Sequence, residues 1–129
     1  LIDHIPNIII NKSYKIRNEG INVFSQIMRN IPTKIYPFLQ NTELKETFLE
    51  IIITTLSIDE NENLLTTFAA SVYEFLTKIQ DDNLRNEALS IFLSPEIYPT
   101  IQTFSESESE EVSESFLMLL EHLNTFQEE

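Results

Sequence analysis

A single glycine, Gly20, is the feature that most restricts what this 129-residue chain can fold into. Tight β-hairpins and phosphate-binding loops both depend on glycine, because glycine adopts positive φ without a steric penalty. A β-sandwich, a β-barrel or a nucleotide-binding α/β domain is therefore disfavoured. The chain is 42% hydrophobic and 22% charged, which is typical of a sequence that buries a core. We therefore expect one all-α domain over residues 1–129.

The first predicted helix follows Ser13, which is a good N-cap. Its apolar stripe comprises Ile16, Gly20, Phe24, Ile27 and Ile31. The helix should end before Pro32, because the residue preceding a proline is pushed out of the α region. A short segment over residues 33–40 should follow, since Pro37 limits its length.

Two strong helices are predicted in the middle of the chain. One begins near residue 42 and has Leu44 on its apolar face. The polar stretch at residues 59–63 is predicted to form a turn followed by the acidic first turn of the next helix. Within the second helix, Ala69 and Ala70 should let a neighbouring helix pack closely. Both helices are predicted to turn one apolar stripe towards a common core.

Three shorter signals describe the last third of the chain. Asp81 and Asp82 should cap one helix, and Ser94-Pro95 should start another that Pro99 keeps short. The Ser/Glu-rich residues 105–111 should form an acidic loop and the start of a final helix. The apolar stripe of that final helix comprises Val112, Phe116, Leu119, Leu120 and Leu123.

Short connections between these helices predict that sequential neighbours lie antiparallel. The comparable helix starts at Thr42 and Asp82 are 40 residues apart, a spacing within the range of HEAT and armadillo repeats. We therefore expect antiparallel helix pairs stacked as a HEAT/ARM-like right-handed solenoid segment. A closed helical bundle, which would produce the same apolar stripes, is the alternative. The chain begins with Leu1, which suggests that it is part of a longer chain.

The charge of the chain is strongly negative and unevenly distributed. The formal net charge is −13; residues 1–41 carry five basic and two acidic side chains, and residues 42–129 carry three basic and nineteen acidic ones. Net repulsion disfavours nucleic acid as a partner, and a basic protein is the partner that such a surface would attract. The alternative interpretation of so much acid is simple solubility.

The Ser/Glu segment supplies the candidate site residues. Its acidic interaction surface comprises Glu106, Glu108, Glu110, Glu111 and Glu114. Ser105 and Ser107 each have a glutamate three positions later, an acidic context that resembles the sites of acid-directed kinases. Phosphorylation there would add negative charge near a helix N-terminus. A flexible, solvated loop is the plainer interpretation.

Residues for catalysis are few, so we expect no enzyme, no metal site and no cofactor. The two histidines, His4 and His122, lie far apart in the sequence, and neither has a second histidine or a cysteine at ligand spacing. The absence of cysteine favours an intracellular protein. Apolar runs such as Ile8-Ile9-Ile10 and Ile51-Ile52-Ile53 are far shorter than the roughly 18–20 residues that a membrane span requires. We predict no membrane association.

Two groups of segments carry a resemblance to known helical proteins. Residues 5–9 (Ile5-Pro6-Asn7-Ile8-Ile9) followed by residues 14–24 resemble the HEAT-repeat pattern of a short helix, a turn, and a basic and a small residue in a long helix. The later segments are residues 44–56, the acidic turn, residues 64–68, Phe75-Leu76, Ala88-Leu89 and residues 110–123. Their order resembles that of the helices in the exportin-1-like region of karyopherin-β nuclear transport receptors, a HEAT-repeat family. The resemblance covers about 110 residues. Where the final helix of that family usually carries an aromatic pair, this chain has Leu119-Leu120, and no segment matches a cargo groove.

The resemblance implies a protein-binding scaffold that is a segment of a nuclear transport receptor. Its partners would be cargo, the GTPase Ran and nuclear pore repeats, and it would shuttle between nucleus and cytoplasm. The alternative is a HEAT-like scaffold subunit of another intracellular assembly with no transport role. The two hypotheses differ in partner, because only a transport receptor should bind Ran in its GTP state.

Overall fold

A computed structural model describes residues 14–57 and 62–127 of the chain, and it describes the side chains of residues 17–57 and 62–126. The described residues form seven α-helices and a 3₁₀ turn at Pro32–Lys34, and they contain no β-strand. The helices are α1 (Tyr14–Asn30), α2 (Tyr36–Gln40), α3 (Thr42–Leu56), α4 (Glu62–Lys78), α5 (Asp82–Phe92), α6 (Tyr98–Ser105) and α7 (Glu110–Gln127). The expected all-α class is confirmed. The predicted turn at 59–61, the likeness at residues 5–9 and His4 lie outside the described residues.

Local capping explains where several helices begin and end. The Asn41 side chain accepts hydrogen bonds from the N–H groups of Glu43 and Leu44, at 2.9 and 3.2 Å, and so caps α3. The Asp81 carboxylate accepts from the Leu84 N–H at 3.0 Å and caps α5. α1 ends at Asn30, two residues before Pro32, as the sequence predicts.

The predicted helix start at Ser94-Pro95 is wrong. Residues 93–97 form turns, and α6 begins later, with Pro99 in its first turn. Proline has no N–H and a fixed φ, so it suits the first turn of a helix as well as the position after one. Pro99 therefore lies in the first turn of α6, whereas the sequence suggested that it would limit the length of a helix starting at Ser94-Pro95.

Three long helices lie side by side in the order α1, α4, α7. Their starts are 48 residues apart in both steps, and each packs against the next. α1 and α4 are parallel, because Arg29 and Glu74 pair at their C-terminal ends while Asn18 and Asn63 line one groove at their N-terminal ends. Tyr73 of α4 contacts a histidine at the matching height of α7. Ala70 of α4 and Met118 of α7, which precede this pair on both helices, line one groove, so α7 runs in the same direction as α4.

Burial repeats along this row of helices. Four buried residues of α1 have buried counterparts 48 positions later in α4. The residues of α1 are Gly20, Ile21, Phe24 and Met28, and their counterparts are Phe68, Ala69, Val72 and Leu76. The same holds for four residues of α4 and their counterparts in α7: Leu64, Phe68, Ser71 and Phe75, with Val112, Phe116, Leu119 and Leu123. α4 is buried by a helix on each flank, so it carries both sets.

Phenylalanine rings join this row to the helices beneath it. The ring centroid of Phe48 in α3 lies 5.7 Å from that of Phe24 in α1, 6.1 Å from Phe38 in α2 and 6.1 Å from Phe92 in α5. Edge-to-face and tilted contacts at these distances are favourable aromatic pairs. These four rings form the Phe48 cluster, which ties four helices into the common core.

Two residues at the ends of predicted apolar stripes are exposed, and their predicted burial is wrong. Leu44 and Ile31 are 37% and 48% exposed, although both were placed on apolar faces. Leu44 lies in the first turn of α3, and Ile31 lies beyond the last turn of α1. The predicted antiparallel packing of sequential helices is found between α6 and α7, where Tyr98 bonds to Asn124 near one end and Phe104 stacks on Phe116 near the other.

Candidate protein-interaction surface

The Ser/Glu segment forms the connection between α6 and α7, as the sequence predicts. The Ser109 hydroxyl accepts a long hydrogen bond, 3.5 Å, from the Val112 N–H, which places Ser109 at the N-cap of α7. The Ser113 hydroxyl donates to the Ser105 carbonyl at 2.7 Å. These contacts attach the end of α6 to the first turn of α7 and hold the acidic segment on an ordered scaffold.

The five predicted carboxylates of this segment are all exposed: Glu106, Glu108, Glu110, Glu111 and Glu114. None of them forms an ion pair with another residue that the structure describes. Residues 86–129 contain no lysine or arginine that could offset their charge. Glu110 and Glu111 lie in the first turn of α7, where negative charge stabilises a helix. The result is an uncompensated negative surface around the start of α7.

The basic residues of the acidic part of the chain are already engaged. Lys45 pairs with Glu87 between α3 and α5, and Arg85 pairs with Asp82 within α5. The Lys78 ammonium donates to the Arg29 carbonyl at the end of α1, at 2.6 Å. Lys45, Lys78 and Arg85 are all the lysines and arginines of residues 42–129, so the excess of carboxylates there is left for solvent or a partner.

The two candidate phosphorylation sites have local hydrogen bonds. The Ser105 hydroxyl donates to the Gln102 carbonyl at 2.6 Å, and the Ser107 hydroxyl accepts from the Ser109 N–H at 3.1 Å. Both residues are half-buried. A kinase would have to replace these local bonds, and phosphorylation at Ser105 and Ser107 stays a prediction.

A groove crosses the outer face of the three long helices. Its volume is about 300 Å³, and it is lined by Arg29, Ala70, Tyr73, Glu74, Ser115 and Met118. Ala69 is fully buried, as expected of a close-packing position, whereas Ala70 points outwards and its small side chain leaves the depression. The Arg29–Glu74 ion pair forms one wall. Sequence analysis missed this groove, because its residues come from three helices.

Met118 forms the opposite wall of the groove and is 53% exposed. It lies one helical turn after Glu114, and Ser115 lies one turn after Glu111, so both carboxylates share the outer face of α7 with the groove. Long side chains on a helix lean towards its N-terminus, which brings Met118 towards Glu114. An apolar depression and an acidic face are therefore adjacent.

A second groove of about 260 Å³ lies between α3 and α5 and is lined in part by Leu49 and Ile91. A third, of about 330 Å³, lies between the N-terminal halves of α1 and α4 and is lined mainly by polar residues such as Asn18 and Asn63. Neither includes a residue of the acidic segment. Neither is lined by any residue of α7.

His122 is half-buried between two aromatic rings. Its ring centroid lies 5.4 Å from Tyr73 and 5.2 Å from Phe126, both in edge-on contacts. Burial lowers the pKa of His122, because the charged imidazolium loses hydration there. Among the residues that the structure describes, no group of three or more His, Cys, Asp and Glu side chains is placed to hold a metal ion. His122 therefore acts as a packing residue between α4 and α7.

Nor is any helix in the described part of the chain both long and apolar enough to cross a membrane. Comparison with protein-family models, with characterised proteins and with solved structures finds no match to this chain. The surface of the chain itself, with its acidic segment and its outer groove, is therefore the basis for a functional proposal.

Proposed function

We propose that this chain is a protein-binding scaffold that recognises basic protein segments through the start of α7. The single observation that carries the proposal is the exposed, unpaired set of carboxylates there, in a region whose lysines and arginines are absent or already engaged. Complementary charge of this kind accelerates encounter with a partner and selects against acidic ones. We assign the chain no catalytic role and no cofactor.

The scaffold is proposed to be a HEAT/ARM-like right-handed solenoid segment. Parallel packing of α1, α4 and α7 at a 48-residue spacing supports it, since equivalent helices of neighbouring repeats stack in this way. HEAT and armadillo repeats span about 40–47 residues, close to this spacing. The repeated burial of equivalent positions also favours a stack over a closed bundle.

The scaffold's membership of the karyopherin-β family is a more specific proposal. It rests on the likeness of the helix order and of residues 110–123 to the exportin-1-like region. Under it, the basic partners are cargo and Ran, pore repeats bind as well, and the protein moves between nucleus and cytoplasm. The alternative is a scaffold subunit of another intracellular assembly. Nucleic acid and membranes are not proposed as partners.

The charge proposal is tested with a fluorescent lysine-rich peptide and an acidic peptide of equal length. The chain should bind only the lysine-rich peptide, and a rise in salt should weaken binding, because the Debye length falls from about 10 Å at 0.1 M to about 3 Å at 1 M. A variant with five substitutions should lose most of this binding: Glu106→Gln, Glu108→Gln, Glu110→Gln, Glu111→Gln and Glu114→Gln.

The matched control neutralises exposed carboxylates elsewhere: Glu43→Gln, Glu46→Gln, Glu50→Gln and Glu62→Gln. Equal weakening by the two variants, after correction for the one charge by which they differ, would show that only the net charge attracts the peptide. The acidic segment would then serve solubility alone.

The identity of the scaffold is tested with purified Ran. Immobilised chain is incubated with Ran locked in its GTP state or loaded with GDP, and separately with phenylalanine-glycine repeats. Retention of the GTP form and of the repeats supports a transport receptor. Binding of lysine-rich peptide without either of these leaves the assembly subunit as the remaining interpretation.

Phosphorylation of Ser105 and Ser107 is proposed to strengthen the same surface. Each phosphate adds about −1.5 to −2 charge at pH 7 and three acceptor oxygens. Treatment with an acid-directed kinase, followed by mass spectrometry, should find phosphate on these two residues, and the product should bind the lysine-rich peptide more tightly. Phosphate found only on other residues would contradict the proposal.

A further inference from the structure

We infer that the groove over Ala70 is the docking point for an apolar anchor residue of a basic protein segment. The inference rests on the proposed function and makes it specific: the carboxylates of α7 attract the segment, and the groove takes one or two of its apolar side chains. The term "anchor groove" is used below for the depression lined by Arg29, Ala70, Tyr73, Glu74, Ser115 and Met118.

The size of the anchor groove limits what can occupy it. Its volume of about 300 Å³ lies at the lower end of the ~300–1,000 Å³ that small-molecule sites occupy, and it is enough for one or two side chains of a partner. A Leu, Met or Phe side chain from a partner would fit between Tyr73 and Met118. Aromatic and methionine side chains are well suited to such contacts, since a flexible thioether adapts its shape to different partners.

The charges around the anchor groove select the partner. Arg29, the cation in its wall, is paired with Glu74. On the α7 side of the groove the charged groups are carboxylates, because Glu111 and Glu114 lie one turn from Ser115 and Met118, and Glu121 follows Met118 by three residues on the same face. On the opposite side, the Lys78 ammonium donates to the Arg29 carbonyl. A segment with an apolar anchor flanked by lysines or arginines complements this arrangement.

The same charges argue against two other occupants. A second copy of this chain would bring a formal net charge of −13 against an equally acidic surface. Nucleic acid would meet the same repulsion. The negative charge around Met118 therefore favours a basic partner over an acidic one.

The test uses three labelled peptides of equal length. The anchor peptide carries two leucines one helical turn apart among lysines; the second replaces the leucines with alanine, and the third replaces the lysines with glutamate. Fluorescence anisotropy should rank their affinities for the intact chain in that order, with no binding of the third peptide.

Two variants of the chain then locate the binding site. Met118→Ala removes one wall, and Ala70→Leu fills the floor from the outer face; each should weaken the anchor peptide about five- to tenfold. Neither should change the affinity for the alanine peptide. Leu117→Ala is the matched control, because Leu117 is the adjacent residue on α7, is 43% exposed and does not line the anchor groove. It should weaken the anchor peptide less than twofold.

Failure of the groove inference and failure of the proposed function are distinguishable. Lysine-dependent binding that does not respond to Met118→Ala or Ala70→Leu, or that Leu117→Ala weakens equally, would overturn the anchor groove alone. Absence of binding by both lysine peptides would overturn the basic-partner proposal as well. Circular dichroism and thermal unfolding of each variant verify that it is folded, and a dimer in sedimentation that Met118→Ala dissolves would show a second copy in the groove.

Discussion

Replacement of Phe48 tests the packing that joins α1 to α2, α3 and α5. Phe48 is fully buried, and its ring contacts those of Phe24, Phe38 and Phe92. Truncation of a core phenylalanine to alanine costs about 3–5 kcal/mol, from lost burial and from the cavity left behind. Domains of this size have unfolding free energies of about 5–15 kcal/mol. Phe48→Ala should therefore remove a substantial fraction of the unfolding free energy.

A milder replacement measures the ring contacts separately. Phe48→Leu keeps most of the volume and should cost about 1–1.5 kcal/mol, measured by urea unfolding at equilibrium. In a double-mutant cycle, Phe48→Leu and Phe92→Leu should couple by about 0.5–1.5 kcal/mol, because their rings meet edge to face. Phe116 stacks on Phe104 and not on Phe48, so Phe48→Leu and Phe116→Leu should couple by less than about 0.5 kcal/mol.

Two outcomes would refute this packing. A loss below about 1.5 kcal/mol for Phe48→Ala would mean that the ring is not enclosed as described. Coupling of Phe48 to Phe116 as strong as its coupling to Phe92 would mean that α3 packs against α7. Leu117→Ala is the control for substitution itself and should stay within about 0.5 kcal/mol of the parent chain, since Leu117 is 43% exposed.

Three further predictions concern caps, pH and an ion pair. Asp81→Ala should cost about 1 kcal/mol by urea unfolding, because the N-cap of α5 loses its acceptor, whereas Asp82→Ala, which removes only an exposed pair, should cost less than about 0.5 kcal/mol. Burial lowers the pKa of His122, so the contribution of the neutral ring to stability is complete above its ordinary pKa of 6.5 and is lost as pH falls through the lowered value. His122→Phe should therefore lose less thermal stability than the parent chain when the pH is lowered from 7 to 5. Equal losses in the two proteins would contradict this prediction. A double-mutant cycle on Arg29 and Glu74 should give at most about 1 kcal/mol, and the coupling should shrink in 1 M salt, because both side chains are partly exposed.

The sequence alone predicted the helices and most of their ends. Capping by Asp81 and termination before Pro32 act within one turn of the chain, so the local sequence is sufficient to identify them. The acidic character of residues 105–111 is likewise a property of composition. The exposure of all five predicted glutamates agrees with the cost of burying an unpaired carboxylate.

Only the tertiary structure decided which helices meet. A stripe of apolar residues shows that a helix has a partner but does not identify it, so the parallel contact of α1 with α4, across two intervening helices, was not predicted. The sequence likewise did not show that Pro99 lies in the first turn of α6, because proline suits the first turn of a helix as well as the position after one. Ala69 and Ala70 are the same residue type in adjacent positions, yet one lies in the core and the other forms the floor of a groove. Their difference arises because successive residues of a helix point about 100° apart, and only the placement of neighbouring helices determines which direction is buried.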